Sequence, residues 1–73
     1  MAEQIKSAPR IIRREEVKYK TGLPTSTIYE RVKAGTFPIP IRLGVGAKAT
    51  GWVEAEVDLW ISEQINNRDR VAG

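Results

Sequence analysis

Few side chains of this 73-residue chain could carry out a reaction by themselves. The sequence contains no cysteine and no histidine, which excludes disulfides, thiolate or imidazole metal sites and the usual Ser-His and Cys-His catalytic pairs. Two pairs of close carboxylates remain, Glu15 with Glu16 and Glu54 with Glu56. The side chains of residues this close in sequence point in different directions on a helix, and no substrate pocket is expected beside either pair. We therefore predict a protein that is not an enzyme and that uses no cofactor, metal or small-molecule ligand.

A second set of side chains, in which hydroxyls are followed by charges, suits contact with nucleic acid. Small hydroxyl residues at the start of a helix let its backbone approach DNA closely, and their oxygens reach phosphates or base edges. Arginine and lysine side chains attract phosphates. The candidate DNA-binding residues are Thr25, Ser26, Thr27, Tyr29, Glu30, Arg31, Lys33, Arg42 and Lys48.

Several of these candidates also have an ordinary structural explanation. One of the three consecutive hydroxyls is expected to cap the N-terminus of its helix. Tyr29 is explained equally well by a core position with its hydroxyl at the rim. Arg31 and Lys33 could be solvated surface charges, and so could Lys48 in its loop, although the isolation of Lys48 at a loop tip favours contact with the DNA backbone or minor groove.

Charge is distributed unevenly along the chain. Residues 1–50 contain ten lysines and arginines and four acids, whereas residues 51–73 contain two arginines and five acids. A basic half joined to an acidic half suits a protein that turns one side toward phosphates and the other side away. Two ordinary solvated surfaces would give the same distribution, so charge alone does not decide the function.

Two short helices are predicted to position the hydroxyls and charges. The first covers residues 14–20, with acids in its first turn and lysines near its end, and residues 21–23, Thr-Gly-Leu, terminate it. The second covers residues 24–34, where Ile28 and Val32 lie one turn apart on an apolar side and the polar residues lie mostly elsewhere. Two such helices joined by a glycine-containing turn predict a helix-turn-helix.

The rest of the chain predicts a small wing and a packing helix. Residues 37–40 contain two prolines and form an extended connection, with Phe37 as an apolar plug. Residues 41–43 and 51–53 are predicted strands joined by a glycine-rich loop, which indicates a β-hairpin. A final helix from about residue 54 to residue 64 carries an apolar stripe, and core packing is favoured over base stacking for both tryptophans.

The predicted fold is mainly α with a small β-hairpin, a winged helix-turn-helix. We expect a disordered N-terminal tail over residues 1–10, the winged domain over residues 11–65, opening with an extended apolar anchor, and a flexible C-terminal tail over residues 66–73. A single domain of this size buries only roughly 60% of its unfolded surface, so its core is small. No apolar run approaches the roughly 20 residues of a membrane span, and we expect a cytoplasmic protein with no membrane partner.

Six short motifs occur in a specific order along the chain. They are Glu16-Val17, Thr21-Gly22-Leu23, Ser26-Thr27-Ile28-Tyr29, Gly35-Thr36-Phe37-Pro38 with Pro40, Gly51-Trp52, and Glu56-Val57 with Trp60. This combination resembles the AlpA family of prophage regulators, winged-helix relatives of phage excisionases and, more distantly, of MerR-type DNA-binding domains. The resemblance covers about residues 11–61. It implies a bacterial or phage-derived, nucleoid-associated protein that binds DNA near an integrated element.

Two departures from the family pattern bear on DNA contact. Pro24-Thr25 stands where such proteins commonly have a Ser-Arg pair, so a basic contact at the start of the second helix is missing. Lys48 stands in a wing segment that often contains arginine in such proteins. Lysine keeps the positive charge but lacks the two parallel N–H donors with which arginine binds a phosphate. A different base preference is therefore expected, and Arg31, Lys33 and the wing gain importance.

Residues and resemblance together predict a sequence-specific protein that binds double-stranded DNA. The helix over residues 24–34 would lie in the major groove, and the wing over residues 41–53 would lie on the backbone or in the minor groove. The resemblance implies transcriptional regulation, recombination directionality or both, on promoter or attachment-site DNA. Integrase or RNA polymerase and cooperative self-association on DNA are the expected protein contacts.

The alternative is a protein-interaction module, adaptor-like or antitoxin-like, that uses the same helix-turn-helix surface. An exposed apolar patch would mark such a surface, whereas the surface predicted here is hydroxyl-rich and basic.

Overall fold

Three helices pack around a three-stranded antiparallel sheet in the computed structural model of the chain. The structure describes residues 9–46 and 48–72, so most of the predicted N-terminal tail lies outside the described residues. The elements are β1 (Ile11–Ile12), α1 (Arg14–Thr21), α2 (Thr25–Ala34), β2 (Ile41–Arg42), β3 (Thr50–Val53) and α3 (Glu54–Ala72). The predicted winged helix-turn-helix is confirmed: α1 and α2 form the helix-turn-helix, and β2 and β3 form the wing.

The turn between α1 and α2 satisfies its own polar groups. Gly22 ends α1 in the left-handed region with φ of 74°, where glycine avoids the steric cost of a side chain, and its N–H donates to the carbonyl of Lys18. The hydroxyl of Thr21 donates to the Val17 carbonyl at 2.8 Å and accepts from the Leu23 N–H at 3.2 Å. The predicted termination of the first helix by Thr-Gly-Leu is therefore confirmed.

The second helix begins one residue later than predicted. Pro24 occupies the N-cap position with extended backbone angles, and Thr25 is the first helical residue. No side chain caps this helix end, so the expectation that one of the three hydroxyls would do so is wrong. The reason is that a capping hydroxyl must stand at the N-cap position itself, which proline occupies here. Gly35, with φ of 81°, ends the helix as predicted.

The central strand of the sheet is β3, which pairs with both other strands. β2 pairs with it antiparallel, with Arg42 opposite Thr50, and this is the predicted hairpin. β1 pairs with its other edge, with Ile12 opposite Trp52. The segment expected only as an extended anchor is thus a third strand, and it fixes the start of α1 beside the wing.

A small core lies between the sheet and the three helices. Val17 anchors α1, Ile28 anchors α2 and Val57 anchors α3, and all three are fully buried. Among the described residues, the buried apolar side chains of the core are Ile12, Val17, Ile28, Phe37, Trp52 and Val57. Burial of one apolar residue from each helix and from β1 and β3 means that all these elements share one core.

Both tryptophans bind the backbone of the connection between α2 and β2. The indole N–H of Trp52 donates to the carbonyl of Pro38, and that of Trp60 donates to the carbonyl of Thr36, each at 2.8 Å. Phe37 lies between these carbonyls and packs edge-on against Trp60, with 4.8 Å between ring centroids. The predicted packing role of both tryptophans is confirmed, although Trp60 is only partly buried.

The described helical and ordered segments extend beyond the predicted domain at both ends. The backbone carbonyl of Arg10 accepts a hydrogen bond from the Glu54 N–H at 2.7 Å, so the packed unit includes a residue that was predicted to belong to the tail. α3 continues to Ala72 instead of ending near residue 64. Residues 62–68 are exposed, so the apolar pattern that set the predicted end stops while backbone hydrogen bonding continues. None of the helices described here is long and apolar enough to cross a bilayer.

Replacement of Gly51 by alanine should destabilise the domain. A Cβ atom at this position would lie 2.5 Å from Cγ2 of Ile11 and 3.0 Å from the backbone oxygen of Ile12. Overpacking of this kind costs about 1–3 kcal/mol, which denaturant unfolding would measure as a lower midpoint. In an Ile11→Ala background the nearer contact is gone, so Gly51→Ala should cost less there. Equal costs in the two backgrounds would contradict this assignment of the clash.

Candidate nucleic-acid interface

One side of α2 is exposed and polar. Four exposed residues follow the spacing i, i+3, i+4 and i+7 and therefore share one face of the helix. They are Ser26, Tyr29, Glu30 and Lys33, and we call them the α2 face. The fully buried Ile28 anchors the helix in the core, which holds this face outward. The α2 face offers a hydroxyl, a phenol, a carboxylate and an ammonium group to a partner.

The other three predicted residues of α2 differ from this face in exposure or direction. Thr25 lies one turn before Tyr29, at the edge of the α2 face, but it is half-buried, as is Thr27. Arg31 is exposed, but it lies two residues after Tyr29, which places it on a different flank of the helix from Tyr29. The structure thus places four of the seven α2 candidates together on one exposed face.

The start of α2 carries no compensating negative charge. α1 has two acids in its first turn and so has α3, whereas α2 has none. The N-terminus of a helix carries a partial positive charge that nearby acids neutralise. Among the three helices that the structure describes, α2 is therefore the one whose N-terminus most favours an anionic partner.

Tyr29 adopts the packed position that the sequence offered as one of two explanations, and its contact with DNA stays a prediction. Its ring packs against Trp52, with 6.1 Å between centroids and 50° between the ring planes. The residue is nevertheless 40% exposed. The aromatic ring is fixed by the core while part of the side chain remains accessible on the α2 face.

A polar cleft lies where the start of α1, the α2 face and the wing meet. Its volume is about 290 Å³, and we call it the wing cleft. Its lining residues are Arg13, Arg14, Glu15, Tyr29, Lys48, Ala49 and Thr50. Two residues predicted from distant parts of the sequence, Tyr29 and Lys48, thus line the same cleft.

The sequence prediction omits two cations of the wing cleft, Arg13 and Arg14. Pairing of β1 with β3 carries the start of α1 to the wing, where the Nε–H of Arg13 donates to the Thr50 carbonyl at 3.0 Å. The adjacent arginines were visible at the start of a predicted helix. Only the unpredicted third strand brings them beside Lys48, so the sequence offered no signal for this neighbourhood.

The remaining predicted residue, Arg42, lies on the wing but outside the cleft. It is exposed in β2, directly opposite Thr50 of the central strand. The wing loop that follows is closed by a hydrogen bond from the Leu43 N–H to the Ala49 carbonyl at 2.9 Å. Arg42 and Lys48 therefore extend from the base and the loop of the same hairpin.

Two further cations of the basic half bind acids of α3, at the contact between α1 and α3. Lys20 Nζ lies 2.9 Å from a carboxylate oxygen of Glu54 and 2.7 Å from one of Asp58. Arg10 also binds Glu54, at 2.7 Å. We call these four residues the flank network.

Ion pairing in the flank network shifts the pKa of Glu54 and of Lys20 in the directions expected for a carboxylate and an ammonium group. The hydrogen bond from Lys20, followed by that from Arg10, lowers the pKa of the Glu54 carboxyl. The hydrogen bond to Asp58, followed by that to Glu54, raises the pKa of Lys20. Acids of α3 thus occupy two cations beside α1. Within residues 9–46 and 48–68, no ion pair involves Arg31, Lys33, Arg42 or Lys48, so these cations remain available to an outside anion.

The chain is similar to one family and to two curated proteins. The model of the family described as "Prophage CP4-57 regulatory protein (AlpA)" matches residues 10–65, which include the whole α2 face and the wing cleft. The "DNA-binding transcriptional activator AlpA" of Escherichia coli (strain K12) is 42% identical over 65 residues, covering 81% of this chain and 90% of the relative. "Uncharacterized protein ORF88" of Enterobacteria phage P4 is 39% identical over 61 residues, covering 84% of this chain and 67% of the relative. No solved structure matches the chain significantly.

Replacement of Glu54 by glutamine should lower stability at neutral pH but not at acidic pH. Because the pKa of Glu54 is lower in the folded protein, its carboxylate stabilises the fold above its ordinary pKa of 4.5. That contribution is lost as the pH falls through the folded-state pKa and the group becomes protonated. The difference in melting temperature between the two proteins should therefore shrink between about pH 7 and pH 3.

Glu56→Gln is the matched control for this measurement. Glu56 lies in the same first turn of α3, but it forms no ion pair among the described residues. Its replacement should produce a smaller loss that changes little with pH. A loss for Glu54→Gln that stays constant across the pH range would show that the flank network does not act through the charge of Glu54.

Proposed function

Because the chain belongs to the AlpA family of prophage regulatory proteins, we propose that it binds double-stranded DNA sequence-specifically and regulates transcription. One observation carries this proposal: the polar α2 face adjoins a cleft lined by Arg13, Arg14 and Lys48. A groove-reading helix needs polar side chains toward base edges and flanking cations toward phosphates. Both requirements are met on one continuous side of this molecule.

In the proposed complex, α2 lies in the major groove with its N-terminus toward the DNA. Ser26 and Glu30 then contact base edges, because hydroxyls and carboxylates can form hydrogen bonds with these edges. The cations of the wing cleft lie against one phosphate backbone, and Arg42 extends that contact along the wing. Thr25, Thr27 and Arg31 are proposed as supporting contacts, since the groove walls lie on both flanks of an inserted helix.

The arrangement favours DNA over a protein partner for this surface. An interface for a partner protein is expected to have an apolar centre with few charges. The α2 face instead contains Glu30 and Lys33, and the neighbouring cleft contains three cations and one acid. Transcriptional regulation is preferred to recombination directionality because the relative from Escherichia coli is named a DNA-binding transcriptional activator.

Removal of a cleft cation should weaken binding and reduce its salt dependence. Each phosphate contact contributes about 0.9 to the slope of log affinity against log salt. Arg14→Ala and Lys48→Ala should each lower that slope by up to about 0.9 on a duplex of random sequence. Fluorescence anisotropy titrations between about 50 and 200 mM salt would measure both the affinity and the slope.

Arg68→Ala is the control for charge alone, because Arg68 lies far along α3 and is not part of the wing cleft. It removes the same charge as Arg14→Ala but should leave the slope nearly unchanged. Equal slopes for wild type, Arg14→Ala and Lys48→Ala would remove the wing cleft from the interface.

Replacement of Glu30 by glutamine should change base preference more than overall affinity. A glutamate side chain accepts a hydrogen bond from the amino group of cytosine, whereas a glutamine side chain pairs with adenine through two hydrogen bonds. Such a contact is worth about 1–3 kcal/mol of discrimination. Selection from a random duplex library should therefore show a change at one base pair, with the salt slope unchanged. An identical selected sequence for both proteins would show that Glu30 does not touch a base.

A further inference from the structure

A second concave surface shares no residue with the wing cleft or the α2 face. It is an open groove of about 650 Å³ between the proline-containing connection and α3, and we call it the α3 groove. Ile39 and Leu59 line this groove and are 70% and 61% exposed. Exposed apolar side chains that line one groove make it a candidate interaction site.

The charges beside the α3 groove restrict what can occupy it. Glu56 and Glu63 line it, and neither carboxylate has an ion pair among residues 9–46 and 48–68. A twofold contact between two such grooves would bring the acids of both copies together, which is unfavourable. The groove instead suits an apolar or aromatic side chain that projects from a surface with a positive net charge.

The same chain carries such a side chain on α1. Tyr19 is 89% exposed and lies on the side of the helix opposite the buried Val17. Outside the flank network, residues 9–23 contain three cations and two acids, whereas residues 54–68 contain two acids and one cation. The net charge left on the segment around Tyr19 is therefore opposite in sign to that of the helix that forms the groove.

Tyr19 and the α3 groove face in different directions within one molecule. Lys20 binds Glu54 and Asp58, which holds α1 against one flank of α3. The groove residues Glu56, Leu59 and Glu63 follow the spacing i, i+3 and i+7 and lie on the other flank. A contact between Tyr19 and the groove must therefore join two copies, and because the two surfaces differ, the contact is head-to-tail.

We propose that Tyr19 of one copy docks in the α3 groove of the next copy, so that copies bound side by side on DNA contact one another. This inference rests on the proposed DNA binding, because a single ring in a small groove buries too little surface for a stable dimer in solution. DNA supplies the missing stability by holding neighbouring copies at a high effective concentration. The result is cooperative binding along the duplex.

Binding to a short and a long duplex separates cooperativity from DNA binding itself. A duplex of about 15 base pairs has room for one copy, whereas one of about 45 base pairs has room for several. We expect the wild-type protein to bind the long duplex with a sigmoidal isotherm and about fivefold or more tighter per site than the short one. Weak binding to both duplexes would count against the proposed function, whereas equal binding per site would overturn only the inference.

Three single variants test the two sides of the contact. Leu59→Lys in the groove and Tyr19→Ser on α1 should each bind the short duplex like the wild type. On the long duplex, each should lose the tighter binding per site that cooperativity gives the wild type. Tyr19→Phe keeps the ring and should retain cooperative binding to the long duplex. Ile65→Lys is the control for a new charge on α3, because Ile65 is 49% exposed but lies outside the groove, and it should also retain cooperative binding.

A mixture of Leu59→Lys and Tyr19→Ser provides the sharpest test. The first variant retains a docking ring and the second retains an intact groove, so together they should recover part of the cooperativity that each lacks alone. Loss of short-duplex binding by Tyr19→Ser would assign the ring to DNA and overturn the proposal. If Leu59→Lys loses cooperativity on the long duplex and Tyr19→Ser keeps it, the groove has a different occupant. That result would overturn the proposal as well.

Discussion

The central position of Trp52 holds α2, the wing and the connection between them in place. Its ring is fully buried in the middle strand, beneath the ring of Tyr29, and its indole N–H binds the Pro38 carbonyl. One side chain therefore contacts α2, belongs to the wing and fixes the connection between them. The part of the chain that the structure describes has six buried apolar side chains in its core, so no second layer of core provides the same alignment.

The uneven charge of the sequence has two uses in the structure. Acids of α3 bind Arg10 and Lys20 and thereby secure α1, which keeps these cations away from a partner. Arg14 pairs with its neighbour Glu15 at 3.4 Å, and among residues 9–46 and 48–68 no ion pair involves Arg42 or Lys48 of the wing. The basic half of the sequence thus contains cations that secure the fold and cations that are proposed to attract phosphates, and net charge alone does not distinguish them.

Local patterns made most of the fold predictable. The turn at Gly22, the end of α2 at Gly35, the hairpin and the family resemblance are all confirmed, because each depends on residues that lie close together in the chain. β1 as a strand was missed because two residues show no periodicity and gain their pairing only from β3. The wing cleft was missed for the same reason, since Arg13 reaches Thr50 only through that pairing. The predicted DNA contacts themselves remain predictions.

The pairing of β1 with β3 also determines when the domain can assemble. Ile12, near the start of the packed unit, finds its partner only at Trp52, beyond the helix-turn-helix and the wing loop. α1 and α2 have eight and ten residues, and helices this short are marginal in water without tertiary packing. A truncated product that ends before β3 would therefore lack both the strand that completes the core and the packing that holds α2.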